Sequence, residues 1–435
     1  MKDQPTAIYD ARKLGIPKML VLGLQHTFAM FGATVLVPLL TGLSVSTTLL
    51  CAGLGTLLFH LLTKGKVPAF LGSSFAFLTA FGIVAPMVDG KPNTEMLPYA
   101  CGGVVFAGLL YLVISALISV FGAKRVMRFF PPVVTGPIII AIGLILAPTA
   151  ISNCQTNWLL AIVALATVVV CNIWGKGMVK ILPVLLGVVV SYVVALCTGA
   201  VDFTAIKEAN LLGLPVRTSA FAKFDLSAIL TIMPVAVATM MEHIGDIAAI
   251  SATTGKNYIK DPGLSRTLLG DGLATTMAGF LGGPANTTYG ENTGVLVLTG
   301  VYDPRVMRIA AVFAIGLSFS PKFEAIINTV PAAIIGGVSF ILYGMISAIG
   351  VRNVVENKVD FTNSHNLIIA AVILVSALGF NSVGGITFTI ASVTINLTGL
   401  AIAAILGIVL NAIIPGNDYN FEEADQPQNS LNMEI

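Results

Sequence analysis

Apolar runs long enough to cross a membrane recur along the whole chain. A transmembrane helix needs about 20 predominantly apolar residues. Stretches of that kind fall at 19–40, 46–63, 97–120, 131–149, 158–175, 181–200, 226–250, 305–320, 327–350, 366–380 and 391–414. Three further segments, 68–84, 267–283 and 286–300, are short or interrupted by polar residues. Of the 435 residues, 56% are hydrophobic and 10% charged, whereas a soluble domain carries about 25% charged residues. So little charge cannot cover a surface facing water, which leaves lipid as the solvent for most of the chain. The sequence is therefore read as an all-α integral membrane protein with fourteen transmembrane segments.

Charge tests that count, because loops on the cytoplasmic side collect Lys and Arg. With the N-terminus inside, alternate loops hold Lys64 and Lys66, then Lys124, Arg125 and Arg128, and so on to Arg352 and Lys358. That sorting puts 18 of the 23 basic residues on one side. Both termini are then cytoplasmic. Residues 1–18 are polar and lack the short apolar core of a signal peptide, so no removable leader is expected. The acidic, Asn-rich tail after Pro415 reads as solvated and disordered. The net charge of +2 gives no reason to expect a nucleic-acid partner. Cys51, Cys101, Cys154, Cys171 and Cys197 fit neither a disulfide framework nor a metal site and read as small packing residues. No metal and no cofactor is expected.

Two local patterns recur about 215 residues apart. Gln25-His26 in the first span matches Glu242-His243 in the eighth. Pro68 followed by Ser73-Ser74-Phe75 in the third matches Pro284 followed by Thr287-Thr288-Tyr289 in the tenth. Each half then holds seven spans, and an odd number places the halves in opposite orientations. This is the inverted-repeat plan of secondary transporters. Gly72-Ser73-Ser74 and Asn286-Thr287-Thr288-Tyr289-Gly290 are poor helix formers. Unpaired backbone in lipid costs several kcal/mol per group, so these stretches are predicted to be short strands that pair near the midplane and offer N–H groups to a substrate.

Acidic residues inside spans are costly, and function is their default explanation. Glu242, Asp246 and Glu291 fall in this class. Glu242 and Asp246 are four residues apart and share a helix face. Carboxylates that converge in a low-dielectric site repel one another and resist ionisation, which suits a group that binds and releases a proton. The alternative for each is a structural hydrogen bond between helices. Asp271, close to Arg266 and flanked by Gly270 and Gly272, reads as a helix-end residue. His26 is a candidate either for the site or for bundle packing, and His60 and His365 read as structural. Phe75 and Tyr289 occupy equivalent repeat positions, where Phe75 suits stacking on a flat ligand.

At these residues the sequence resembles the nucleobase–ascorbate transporter family, most closely its bacterial uracil permeases, from about Leu14 to Ile413. The resemblance rests on residues 25–34 (QHTFAMFGAT), 68–77 (PAFLGSSFAF), 242–246 (EHIGD) and 286–294 (NTTYGENTG) with Thr299-Gly300. It implies a core domain of segments 1–4 (19–128) and 8–11 (225–322). It also implies a gate domain of segments 5–7 (129–224) and 12–14 (323–415), between an N-terminal segment (1–18) and a tail (416–435). The resemblance also implies a homodimer, since family members typically pair through their gate domains. By motif, Glu242 and Glu291 would accept hydrogen bonds from pyrimidine ring N–H groups. Phe75 would stack on the ring, and the backbone N–H groups of Phe75 and Gly290 would serve its carbonyl oxygens, beside Tyr289. Glu at 291 resembles the uracil branch, since xanthine and urate carriers usually have Gln there. In the best-studied style of uracil permease the position of Asp246 is a histidine, whereas Asp246 agrees with the wider family's GD motif, so a proton pathway through that histidine does not carry over. Coupling falls to Glu242, with Asp246 or His26 in support.

The resemblance thus implies a proton-coupled uracil symporter of the plasma membrane, working by alternating access in contact with lipid. The rivals are a xanthine or urate permease of the same family and an anion exchanger of similar architecture. An intramembrane enzyme finds no support, because no nucleophile has a base partner in a known motif.

Overall fold

In the computed structural model, residues 7–88, 91–391 and 393–417 are described, with Glu291 described by its main chain alone. The first half contains α1 (Ile16–Thr41), α2 (Val45–Leu62), β1 (Leu71–Ser73), α3 (Leu78–Val84), α4 (Leu97–Phe121), α5 (Pro132–Gln155), α6 (Trp158–Trp174) and α7 (Pro183–Cys197). The second contains α8 (Leu226–Ile232), α9 (Val235–Thr254), α10 (Leu264–Phe280), β2 (Asn286–Thr288), α11 (Gly290–Thr299), α12 (Pro304–Ser318) and α13 (Ala332–Glu356). It ends with α14 (Ser364–Ser382), β3 (Ile386–Ile390), β4 (Val393–Leu397) and α15 (Gly399–Ile413). Side-chain caps start several helices: Ser44 accepts from Thr47 N–H, Asn157 from Leu160 N–H and Thr398 from Ala401 N–H. Each satisfies one of the donors a helix start leaves open.

Among the described residues, seven helical spans are long and apolar enough to cross a membrane, counting α8 and α9 as one. α12 and the helix Pro321–Asn328 pass the same test together across an 86° bend, and α6, α7 and α15 are shorter apolar helices. The chain is thus a multi-pass membrane protein. Its helices pack in matched pairs, α4 along α10 and α5 along α13. Gly108 and Gly272 let the first pair approach until a Cβ at 272 would sit 2.9 Å from the Gly108 carbonyl. Without a hydrophobic drive between helices in lipid, such small-residue contact is what allows tight packing. The three buried cysteines, Cys51, Cys101 and Cys154, pack as small side chains, and all five are free thiols.

Two boundaries depart from the sequence reading. The run 391–414 is not one helix: its first third is β4, paired antiparallel with β3 from Ile386↔Leu397 to Ile390↔Val393. Alternating β-branched residues in Ile386-Thr387-Phe388-Thr389-Ile390 and Val393-Thr394-Ile395 favour a hairpin over a helix. The segment 267–283, read as short or interrupted, is short but unbroken: α10 starts three residues earlier and runs 17 residues to Phe280. The predicted tail falls outside the described residues from 418 onward.

The segments 68–84 and 286–300 do break as predicted. β1 and β2 pair antiparallel with Leu71↔Thr288, Gly72↔Thr287 and Ser73↔Asn286 in register. Ser74 N–H to Ala285 O (2.8 Å) and Tyr289 N–H to Phe70 O (3.1 Å) extend the ladder at each end. Neighbouring helices take up the remaining polar groups. Leu71 N–H donates to Thr56 Oγ1 (2.9 Å), Thr275 Oγ1 to Asn286 O (2.6 Å) and Asn286 Nδ2 to Cys51 O (2.9 Å), while His60 Nε2 lies 2.9 Å from Ala69 O. Non-helical backbone survives at membrane depth only where protein satisfies it in this way.

Candidate functional site

Each strand of the central ladder runs directly into a helix. The chain after Ser73 turns into the helix Phe75–Val84, and the chain after Thr288 turns into α11 at Gly290. As first-turn residues, Phe75 and Gly290 have N–H groups without an intrahelical acceptor. Two positive helix starts therefore flank one short ladder, an arrangement suited to carbonyl oxygens or anionic groups.

Beside this ladder a cavity of about 830 Å³ opens to one end of the molecule. Its mouth carries the exposed Lys180, Lys256 and Arg352, and its inner wall includes Asp246, Gly290 and Thr293. Asp246 is 5% exposed, and its Oδ2 accepts from Thr288 Oγ1 at 3.0 Å. Its Oδ1 lies so near Gly290 that a Cβ there would be 2.9 Å away. Glycine at 290 is thus what lets the α11 start and the Asp246 carboxylate share one wall of the cavity.

The structure brings Asp246 and Gly290 together at the cavity. Glu242 is half-buried one turn earlier in α9, outside the lining. The helical position of Glu291 follows Gly290 in α11, and its side chain lies outside the described residues. Phe75 is buried and meets Tyr343 of α13 edge-on at 5.4 Å between ring centroids. Tyr289 braces the ladder: its ring covers Gly72, where a Cβ would approach the ring to 2.5 Å. Its hydroxyl donates to Ser73 O (2.9 Å) and accepts from Thr34 Oγ1 (3.2 Å). His26 is fully buried in α1 against Asn292 of α11.

Several buried polar residues escape the sequence reading. Asp271 sits inside α10, fully buried, with Oδ2 3.2 Å from His243 Nδ1. That pair replaces the helix-end role expected from Arg266 and the flanking glycines. Thr287 Oγ1 lies 3.4 Å from Asp271 Oδ2, and Thr288 Oγ1 lies 3.3 Å from His243 Nδ1. A histidine beside Glu242 and an aspartate 28 residues away carry no local signal that they meet. The usable hint was that both lie in membrane helices, where charge is expensive.

The family model described as "Permease family" matches residues 17–386. The chain belongs to the nucleobase–ascorbate transporter family. This transporter, which is not an enzyme, is 41% identical over 429 residues to the uracil permease of Bacillus caldolyticus, covering 96% of this chain and 94% of that protein. It is 42% identical over 409 residues to the probable uracil permease of Pasteurella multocida, covering 92% and 94%. With the uracil permease of Escherichia coli K12 it shares 39% over 403 residues, 90% of each chain. In fold, the transporter is similar to the transmembrane domain of a cyanobacterial bicarbonate transporter, BicA. There the TM-score is 0.63 at 14% identity, over 94% of this chain and all of that one. It is also similar to the murine anion transporter Slc26a9 in its inward-facing state (TM-score 0.62, 11% identity, 92% and 68% coverage). At such identities these likenesses speak to the fold alone.

Proposed function

We propose that this protein is a proton-coupled symporter that imports uracil across the plasma membrane by alternating access. The observation that carries the reading is the antiparallel pairing of the two segment breaks, which sets the helix starts at Phe75 and Gly290 around one ladder beside a buried carboxylate. Uracil alternates ring N–H donors with carbonyl acceptors. Carboxylates at Glu242 and Glu291 suit the donors, and helix-start N–H groups suit the carbonyls. A site missing either kind would leave a buried ring group unpaired and lose affinity. The names of the relatives at about 40% identity support the same substrate.

The chain is organised, in this reading, as two inverted repeats of seven segments. The core domain (19–128 and 225–322) moves against the gate domain (129–224 and 323–415), and two copies pair through their gates. The end bearing Lys180, Lys256 and Arg352 is cytoplasmic with both termini, so the open cavity is an inward-facing vestibule. The fold likeness to two anion carriers favours a second reading, anion exchange. Against it, a buried carboxylate at the cavity wall repels an anion. Binding of radiolabelled uracil to the purified protein, competed with xanthine, urate and bicarbonate, tests the reading. Displacement by unlabelled uracil alone supports it, and displacement by xanthine moves the substrate to the purine branch.

A further inference from the structure

We propose that His243 and Asp271 form the dyad that carries the coupled proton, and that Thr288 connects it to Asp246 at the cavity. The inference rests on the proton-symport reading above and names residues which that reading leaves unused. Both side chains are fully buried, with Nδ1 and Oδ2 3.2 Å apart. Thr288 Oγ1 stands between the dyad and the vestibule, 3.3 Å from His243 Nδ1 and 3.0 Å from Asp246 Oδ2. Asp246 lines the open cavity. An unbroken chain of hydrogen-bonding atoms therefore links a buried titratable pair to water.

The charge balance explains why such a pair suits this task. With the shared proton in place the pair carries no net charge, whichever of the two groups holds it. Losing one proton leaves a buried net charge of −1, which is costly away from water. His243 Nε2 and Asp271 Oδ1 have no hydrogen-bond partner among the described residues, so no fixed network locks the pair in one protonation state. Release is a single transfer. The His243 Nδ1 proton passes to Thr288 Oγ1 as the Thr288 hydroxyl proton passes to Asp246 Oδ2. His243 ends neutral, Asp246 protonated and Thr288 unchanged, and Asp246 then gives its proton to cavity water.

The groups that face the dyad are few. Asp246 and Glu242 share its helix, Tyr111 of α4 lies near Asp271 and donates to Thr239, and Thr287 lies against Asp271. From α2, the ring of Phe59 meets His243 edge-on, and the adjacent His60 is engaged with the Ala69 carbonyl. No Lys or Arg is among them, and His243 is the basic side chain that meets Asp271.

The test separates exchange from accumulation in proteoliposomes holding the full-length protein. Exchange of labelled for unlabelled uracil across the membrane needs binding and the conformational cycle but no net proton movement. At one proton per uracil, a gradient of one pH unit supports about a tenfold concentration ratio. His243→Gln should exchange uracil within about twofold of wild type while its gradient-driven ratio falls to about one. Thr288→Val should lose accumulation in the same way, and Thr288→Ser, which keeps the hydroxyl, should restore it. Gradient-driven accumulation by His243→Gln equal to wild type overturns the dyad. So does an equal loss of binding and exchange in His243→Gln and Thr288→Val, because that marks a structural role. A wild-type protein that binds and exchanges uracil but ignores the gradient overturns the symport reading and the dyad with it.

Discussion

The hydroxyl of Tyr289 donates to the main-chain carbonyl of Ser73 at 2.9 Å, joining the helix start of one broken segment to the strand of the other. The same oxygen meets Ser73 Oγ and Thr34 Oγ1, each at 3.2 Å. Tyr289→Phe keeps the ring over Gly72 and removes the hydroxyl donor from the buried Ser73 carbonyl, at a cost of about 1–3 kcal/mol, while Ser73 Oγ keeps Ala33 O and Thr34 Oγ1 keeps Met30 Sδ. The variant should fold, melt at lower temperature in nanodiscs and bind uracil more weakly. Thermal unfolding with and without uracil checks both effects.

Gly290→Ala would put a Cβ 2.9 Å from Asp246 Oδ1. That is inside van der Waals contact, so the carboxylate or the α11 start must shift. Uracil uptake should fall at least tenfold while the yield of folded protein stays near wild type, since misplacing a binding group by about 1 Å is costly to function. Size-exclusion profiles beside uptake rates separate the two. Gly72→Ala meets the Tyr289 ring at 2.5 Å and should instead lose folded yield, because the ladder itself is pushed apart.

Glu242 and Glu291 are assigned different duties in the proposed cycle. Glu291→Gln should weaken uracil binding and shift preference toward xanthine, because an amide offers a donor where the ring N–H needs an acceptor. Competition binding reads this out, and unchanged uracil affinity would remove Glu291 from the site. Glu242→Gln should lose gradient-driven accumulation together with affinity. His243→Gln should leave affinity in place, and this contrast separates a substrate ligand from a proton carrier.

The N-terminal segment is strapped to the end of the molecule that bears the cavity mouth. Ile8 pairs with Gly300 and Tyr302 through main-chain bonds of 2.8 Å, and Ala11 N–H donates to Asp303 Oδ2 at 2.7 Å. Asp10 bridges Arg12 and Arg305. The Arg12 hydrogen bond, helped by the charge of Arg305, lowers the Asp10 carboxyl to about 2. A carboxylate depressed in this way contributes above its unfolded value of about 3.9 and loses that contribution as pH falls through the folded value. The protection factors of the residue 8–12 amides, with the intrinsic pH dependence of exchange removed, should therefore hold from pH 8 to about pH 4, and Asp10→Asn should lower them across that range.

Much of this architecture was legible in the sequence because lipid is an exacting solvent. The apolar runs marked the long helices, and Pro68 and Pro284 with their polar followers marked the two breaks. The pairing of the chain around Gly72-Ser73 with Asn286-Thr287-Thr288 followed from the cost of bare backbone in a membrane. What stayed hidden needed distances rather than patterns. Hydropathy cannot separate a strand from a helix over a short apolar run, so β4 of the hairpin, Val393–Leu397, was merged into a span. Tyr289 was read as lying beside the substrate, and the close contact of its ring with Gly72 is visible only in the packed structure. Asp271 looked like a helix-end charge because its partner, His243, lies on a different helix.

The central claim is that uracil moves with protons through the site at the paired breaks. The most direct measurement is uptake of radiolabelled uracil into proteoliposomes under an imposed inward proton gradient, competed with xanthine, urate and thymine. The account predicts uptake that requires the gradient, collapses with a protonophore and is blocked by unlabelled uracil but not by xanthine. Uptake at the same level with the gradient dissipated, or uptake of xanthine in place of uracil, would contradict it.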